Sequence, residues 1–219
     1  MKQGTMSDHF VLHSYRRCPF AMRVRIVLEL KKVDYSVIEE RLGDWTEFLV
    51  QNVANPQVPI LVHNGRIIAE SNDINLYLEK LFPEPALFPK DQEGQERVRL
   101  WWDWCEHLLK PSIDQFKYCD DKHFSQEGRT KVLRLLGRLN GELETTGYLC
   151  GTGLTLADIA VIPFVRQISR VKDHPIDVHD FPWVKIWLSQ VLDEDFFKDQ
   201  VMKKYPFAKS KTSKTYANN

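Results

Sequence analysis

The chain has 219 residues, 43% hydrophobic and 27% charged, an ordinary globular composition that excludes intrinsic disorder for most of its length. Its 30 Lys and Arg balance 30 Asp and Glu, so the net charge is zero and a dedicated nucleic-acid binder, which would be basic, is disfavoured. No apolar run approaches the roughly 18 residues of a membrane span, and Met1 to Asp8 is polar without a signal-peptide core. The expectation is a cytoplasmic protein of one large or two small domains.

Phe10 to His13 is a short apolar run and reads as a strand. Pro19 to Lys32 carries Phe20, Val24, Val27, Leu28 and Leu30 at helical spacing, with Pro19 suited to the first helical position. Tyr35 to Ile38 reads as a second strand and Trp45 to Val50 as a short helix. Pro59 to Val62 and Arg66 to Ala69 flank Asn64-Gly65, a strong hairpin signal. Ser71 to Leu81 reads as a helix capped by Ser71. A βαβ unit followed by ββα predicts a small mixed sheet covered by helices.

Three prolines between Phe82 and Pro89 cannot continue a helix and read as a linker. Beyond them the pattern is helical: Glu93 to Phe116 with Trp101, Trp102 and Trp104, then Gln126 to Thr145 with Val132, Leu135, Leu136, Leu139 and Leu143 inward. Leu156 to Arg170, Trp183 to Leu192 and Phe196 to Lys204 follow. The expected division is an α/β domain over 8–82, a linker over 83–91, an all-helical domain over 92–207 and a disordered tail over 208–219.

Thr155-Leu156-Ala157-Asp158 is a capping box, with Leu154 and Ile159 placed as a hydrophobic staple. Its role is structural. Val58-Pro59 opens a strand, where Pro belongs because it cannot donate to a ladder; a cis bond there would leave the Val58 amide to pair with an extended ligand. The four cysteines, Cys18, Cys105, Cys119 and Cys150, fit neither a disulfide framework nor a zinc site. His174 and His179 are the closest histidines, but Pro175 breaks any helical register, so no metal is expected.

Tyr15 to Arg23 holds the chemistry. Pro19 opens the helix, so Cys18 falls at its N-cap, where the helix dipole and free N–H groups favour a thiolate. With Arg16, Arg17 and Arg23 nearby, the thiol is expected below its usual 8.5 or so. The other three cysteines are expected to pack as inert hydrophobes. Position 21 is Ala, so a second thiol is missing from the motif, and a mixed disulfide on Cys18 needs an external thiol such as glutathione to resolve it.

Cys18-Pro19-Phe20-Ala21, Val58-Pro59, Glu70-Ser71 and the capping box, in this order across a Pro-rich linker, resemble the cytosolic glutathione transferase family. The resemblance covers Phe10 to about Leu192. The cysteine motif looks like the omega class and bacterial cysteine-type members; Met22-Arg23-Val24-Arg25-Ile26 also looks like the zeta class, which has serine at the Cys18 position. The resemblance implies a thioredoxin-like N-terminal domain that binds glutathione, a helical C-terminal domain, a second substrate in a cleft between them, and a homodimer. It implies a glutathione site made of Phe20, Val58, Pro59, Glu70 and Ser71, with the Val58 backbone pairing with the cysteinyl part and Glu70 and Ser71 holding the γ-glutamyl group. The lysine that omega-like members carry near the short second helix is missing from Leu42-Gly43-Asp44-Trp45-Thr46, and Arg41 is the nearest cation to replace it.

Three functions follow. The first is a glutathione-dependent thiol transferase, or dehydroascorbate reductase, with Cys18 as sole catalytic residue. The second is conjugation of glutathione to electrophiles, with Ser14 or Tyr15 activating its thiol. The third is a non-enzymatic binder of apolar ligands, motivated by Trp101, Trp102, Trp104 and Phe116.

Overall fold

The computed structural model describes residues 9–171 and 176–209. The expectations for Met1 to Asp8, for His174 and for residues 210–219 lie outside the described residues.

Four strands form one mixed sheet: β1 (Phe10–Ser14), β2 (Tyr35–Glu39), β3 (Ile60–His63) and β4 (Arg66–Ala69), in the order β2-β1-β3-β4. β1 runs parallel to β2 with Phe10 opposite Tyr35, and antiparallel to β3 with Phe10 opposite His63. β3 and β4 are joined by Asn64 and Gly65 at φ of 49° and 78°, the two positive values that a tight two-residue hairpin requires. Three helices accompany the strands: α1 (Pro19–Leu30), α2 (Glu47–Asn52) and α3 (Ser71–Leu81). The core of α1 is Ala21, Met22, Val24 and Ile26 to Leu28, all buried. Lys31 at its end pairs with Glu79 of α3 at 2.7 Å.

The helical part has α4 (Gln92–Trp104), a π-helical segment Cys105–Leu109, α5 (Lys110–Tyr118), α6 (Lys122–Thr146), α7 (Leu156–Ile168) and α8 (Pro182–Leu192). Along α6 Val132, Leu136, Leu139 and Leu143 are buried, while Leu135, read as inward, stays partly exposed. The capping box forms: Asp158 Oδ2 accepts the Thr155 backbone N–H at 2.9 Å, and Thr155 Oγ1 accepts that of Ala157 at 3.3 Å. Asp158 Oδ1 also accepts the Leu149 N–H at 2.9 Å and the Trp187 indole N–H at 2.8 Å. The tryptophans are core: Trp101, Trp102 and Trp104 are all buried, and Trp102 Nε1 donates to the Leu156 carbonyl at 3.1 Å. The aromatic density that motivated a ligand-binding protein is packing.

The described chain divides into two compact units: a thioredoxin-like α/β unit of residues 9–80 with 199–209, and an all-helical unit of Leu81–Lys198. Residues 199–209 belong to the first unit, not to the helical one assigned from rhythm. Phe207 bridges Glu39 in parallel fashion, and the Ala208 N–H donates to the Glu39 carbonyl at 2.8 Å. Ala208 therefore has a fixed backbone partner where the sequence reading began a disordered tail. A length-based rhythm carries no information about a segment that returns to a distant strand edge. Among the described residues no helix is long and apolar enough to cross a membrane.

Candidate functional site

Cys18 stands immediately before α1 in extended conformation, φ −74° and ψ 121°, with Pro19 as the first helical residue. Its carbonyl accepts the Met22 N–H at 3.0 Å, which starts the helix, and its own N–H donates to the Tyr15 carbonyl at 2.9 Å. Cys18 is half-buried, and its thiol lies 3.8 Å from the Val58 carbonyl. The Val58-Pro59 peptide bond is cis.

A cavity of about 160 Å³ is lined by Phe20, Gln57, Val58, Pro59, Glu70 and Ser71. Five of the six residues expected to bind glutathione thus meet around one small hollow, next to the carbonyl that the Cys18 thiol contacts. The sixth, Arg41, does not join them. Its guanidinium lies 5.0 Å from the Phe207 ring centre, and it forms an isolated bridge with Asp44. The sequence reading could not anticipate the returning segment that engages it. Gln57 was missed: its amide donates to Glu70 Oε1 at 2.8 Å. Its place immediately before Val58-Pro59 was the available signal.

Glu70 has φ of 64°, and its carbonyl accepts the Ile74 N–H at 2.9 Å. Glu70 therefore occupies the cap of α3 and Ser71 is the first helical residue, one position later than expected. Ser71 is buried, and its hydroxyl accepts from Arg23 Nη1 at 3.2 Å.

The electrostatics at Cys18 differ from expectation. Burial pushes the thiol up from its ordinary value. The backbone N–H groups of Ala21 and Phe20, then the charges of Arg23 and Arg25, pull it back without cancelling the burial. The helix-mouth effect is present, but desolvation is larger. The helpful cations are also not the pair before the cysteine. Arg17 Nε donates to the Tyr15 hydroxyl at 2.7 Å, and Arg16 uses its backbone N–H on Glu39 Oε1, also at 2.7 Å. Arg23 and Arg25 are 0% and 1% exposed. Arg25 Nη2 pairs with Glu39 Oε2 at 2.9 Å, and Nη1 donates to the Val201 carbonyl at 3.0 Å.

The rival hydroxyls sit differently. Ser14 is fully buried, and its Oγ has no polar partner; the Tyr15 hydroxyl is the one that Arg17 engages. Cys105 and Cys150 are buried, and burial raises the Cys150 thiol to about 11. Among the described residues no three His, Cys, Asp or Glu side chains gather into a metal-holding group; His179 pairs with Asp177.

The family model for the glutathione S-transferase N-terminal domain matches residues 12–86, and that for the C-terminal domain matches residues 109–195. A probable glutathione S-transferase, MSR-1 from Nicotiana plumbaginifolia, is 30% identical over 160 residues, 72% of this chain and 73% of that protein. The Tau class glutathione S-transferase MiGSTU of mango, Mangifera indica, superposes with a TM-score of 0.78 at 24% identity, over 91% of this chain and 94% of its own. Rice GST1 (OsGSTU1), solved in complex with glutathione, does so at 0.78 and 23% identity, over 88% and 90%. The two solved structures share the fold, and the mango enzyme's class is Tau, not the omega class that the cysteine motif resembles. With both domain models matching in tandem and a 30% identical relative spanning most of both chains, the chain belongs to the glutathione S-transferase family.

Proposed function

We propose that the protein is a glutathione-dependent thiol transferase of omega-like chemistry, acting through Cys18 as a monothiol. The observation that carries this reading is the Cys18 thiol at the mouth of α1, 3.8 Å from the Val58 carbonyl, beside a hollow lined by Glu70 and Ser71. At about 160 Å³ the hollow is too small for a whole tripeptide and suits one end of it. Glu70 offers a carboxylate to an ammonium, and Ser71 at the start of α3 offers donors to a carboxylate. The Val58 backbone pairs with the cysteinyl part, which sets the glutathione sulfur against Cys18. Arg41 holds the glycyl carboxylate only if it leaves Phe207.

The Cys18 thiolate attacks the glutathionyl sulfur of a mixed disulfide. The Cys18–glutathione disulfide forms, and the acceptor leaves as a thiolate that takes up a proton. A second glutathione thiolate then attacks the glutathionyl sulfur on Cys18, releasing oxidised glutathione and the Cys18 thiolate. The net reaction reduces one mixed disulfide at the expense of two glutathione equivalents, one of them supplied by the substrate. Ala21 leaves no second thiol in the motif to shortcut the last step. Four free thiols, Cys18, Cys105, Cys119 and Cys150, support a reducing compartment such as the cytoplasm. A homodimer rests on the family resemblance, and light scattering tests it directly.

The deciding assay follows oxidised glutathione released from cysteine–glutathione disulfide by wild type and Cys18→Ala. Loss of a thousandfold or so, the scale of removing a covalent nucleophile, supports the reading. Full turnover by the variant sinks it.

One observation favours glutathione conjugation instead. Burial raises the Cys18 thiol, which weakens it as a nucleophile. A Cys18→Ser variant that conjugates 1-chloro-2,4-dinitrobenzene faster than wild type supports this second reading. A variant slower than wild type argues against it.

A further inference from the structure

The hollow at the start of α3 has a charged group behind its wall. Arg23 lies on α1 with no exposed surface. Its Nη1 donates to Ser71 Oγ at 3.2 Å and to Asn72 Oδ1 at 3.4 Å, and its guanidinium lies 4.8 Å from the centre of the Phe20 ring. Ser71 and Phe20 both line the hollow. Arg23 therefore touches the lining from inside the fold at two points without belonging to it.

The chemistry of that contact is one-directional. A guanidinium has donors and no acceptor, so Ser71 Oγ must accept from it. The Ser71 hydroxyl proton is then turned away from Arg23. We propose that Arg23 is a positioning residue for the ligand's α-carboxylate: by occupying the acceptor side of Ser71, it commits that hydroxyl to donate into the hollow. This rests on the reading of the hollow as the seat of glutathione's γ-glutamyl end.

Three features of the wall act in the same sense. Ser71 opens an eleven-residue helix, whose first N–H groups lack helical partners and carry partial positive charge. The Arg23 charge sits behind the hydroxyl at low dielectric, where it is weakly screened. Glu70, held by Gln57 at 2.8 Å, faces the same space with the opposite sign. A carboxylate donor set beside a carboxylate acceptor matches an α-amino acid head group. The γ-glutamyl end of glutathione has one, and cysteinylglycine, lacking that residue, presents no such carboxylate. Arg23 thus determines specificity for the γ-glutamyl carboxylate rather than for the thiol.

The test compares two unreactive ligands, S-methylglutathione and S-methylcysteinylglycine, by calorimetric Kd on wild type, Arg23→Gln, Arg23→Lys and Ser71→Ala. Wild type is expected to prefer S-methylglutathione. Arg23→Gln should weaken S-methylglutathione about tenfold or more, the scale of one hydrogen bond to a charged group, and leave the shorter ligand within about twofold. Ser71→Ala should lose as much, and the double variant no more than either single one, because both act through one hydroxyl. Arg23→Lys, which keeps a donor but not the fork, should recover part of the loss.

Equal weakening of both ligands would mean that Arg23 only supports the fold, and overturns the inference. So does undiminished preference for S-methylglutathione in Arg23→Gln. If Arg23→Gln does not fold, Arg23→Lys and Ser71→Ala decide: both must lose preference for S-methylglutathione, and retained preference in either refutes the inference. A wild type that treats the two ligands alike overturns the γ-glutamyl reading of the hollow itself, a different outcome from a selective wild type with a selective Arg23→Gln.

Discussion

Cys18 combines two opposing effects that a sequence lists but does not weigh. Position at a helix mouth lowers a thiol, and burial raises it; here burial wins over the Ala21 and Phe20 N–H groups and the Arg23 and Arg25 charges. In the ligand-free protein the neutral thiol dominates at pH 7. The Cys18-specific alkylation rate, with Cys18→Ala as blank, should climb about tenfold per pH unit through neutrality and pass pH 8 without levelling. A plateau reached below pH 7 would sink this. Glu40 shows the reverse balance. Burial raises its carboxyl, but His13 at 2.7 Å and the Thr46 hydroxyl and N–H at 2.7 and 2.9 Å outweigh it and hold the group below its usual range. A depressed carboxylate stabilises the fold above its unfolded value of about 4.3, and the contribution disappears as pH falls through the folded value. Glu40→Gln should cost about 1–3 kcal/mol at pH 7. The gap in melting temperature between wild type and variant should close as pH falls from about 5 toward about 3; a gap that stays constant contradicts the assignment.

Between elements, the same separation of local from distant causes recurs. The hairpin at Asn64-Gly65, the Pro19 start of α1 and the Thr155–Asp158 box were legible because each depends on backbone angles and partners within a few residues. What the box holds was not. Asp158 also fixes the Leu149 N–H and the Trp187 indole, 9 and 29 residues away, so its removal strips donors from three places. Asp158→Ala should cost roughly 3 kcal/mol or more in urea unfolding, well beyond the usual 1 or so for a helix cap. A loss near that single-cap figure would mean that the long-range bonds contribute little. Gly128 was unremarked in the sequence. A Cβ there would stand 2.5 Å from the Phe116 backbone nitrogen and 2.9 Å from the Gln115 carbonyl carbon, so α6 meets α5 at this glycine. Gly128→Ala should destabilise by about 1–2 kcal/mol net, since overpacking against backbone outweighs the gain of about 1 in helix propensity. A variant as stable as wild type would refute the close approach.

At the scale of the whole molecule, the informative feature is the return of residues 199–209 to the α/β unit. Arg25 joins Val201, 176 positions along the chain, to Glu39, whose other carboxylate oxygen holds the Arg16 N–H in the loop before Cys18. Tyr205 lies with its ring centre 5.6 Å from the Arg25 guanidinium. Ending the chain after Lys203 removes Tyr205, Phe207 and the Ala208 bond, and frees Arg41 from Phe207. The melting temperature should fall by several degrees, as loss of about 1–2 kcal/mol would give; an unchanged value would mean that the segment adds no stability. The sequence by itself determined the order of elements, the mixed sheet, the helical second half and the gathering of Phe20, Val58, Pro59, Glu70 and Ser71, because periodicity, turn chemistry and caps act over a few residues. The tertiary structure alone decided that Arg23 and Arg25 are buried, that the Cys18 thiol is raised rather than lowered, that Arg41 faces Phe207 and that Gln57 joins the hollow. Those outcomes depend on desolvation and on partners tens of residues away, and both exist only once the chain has closed around them.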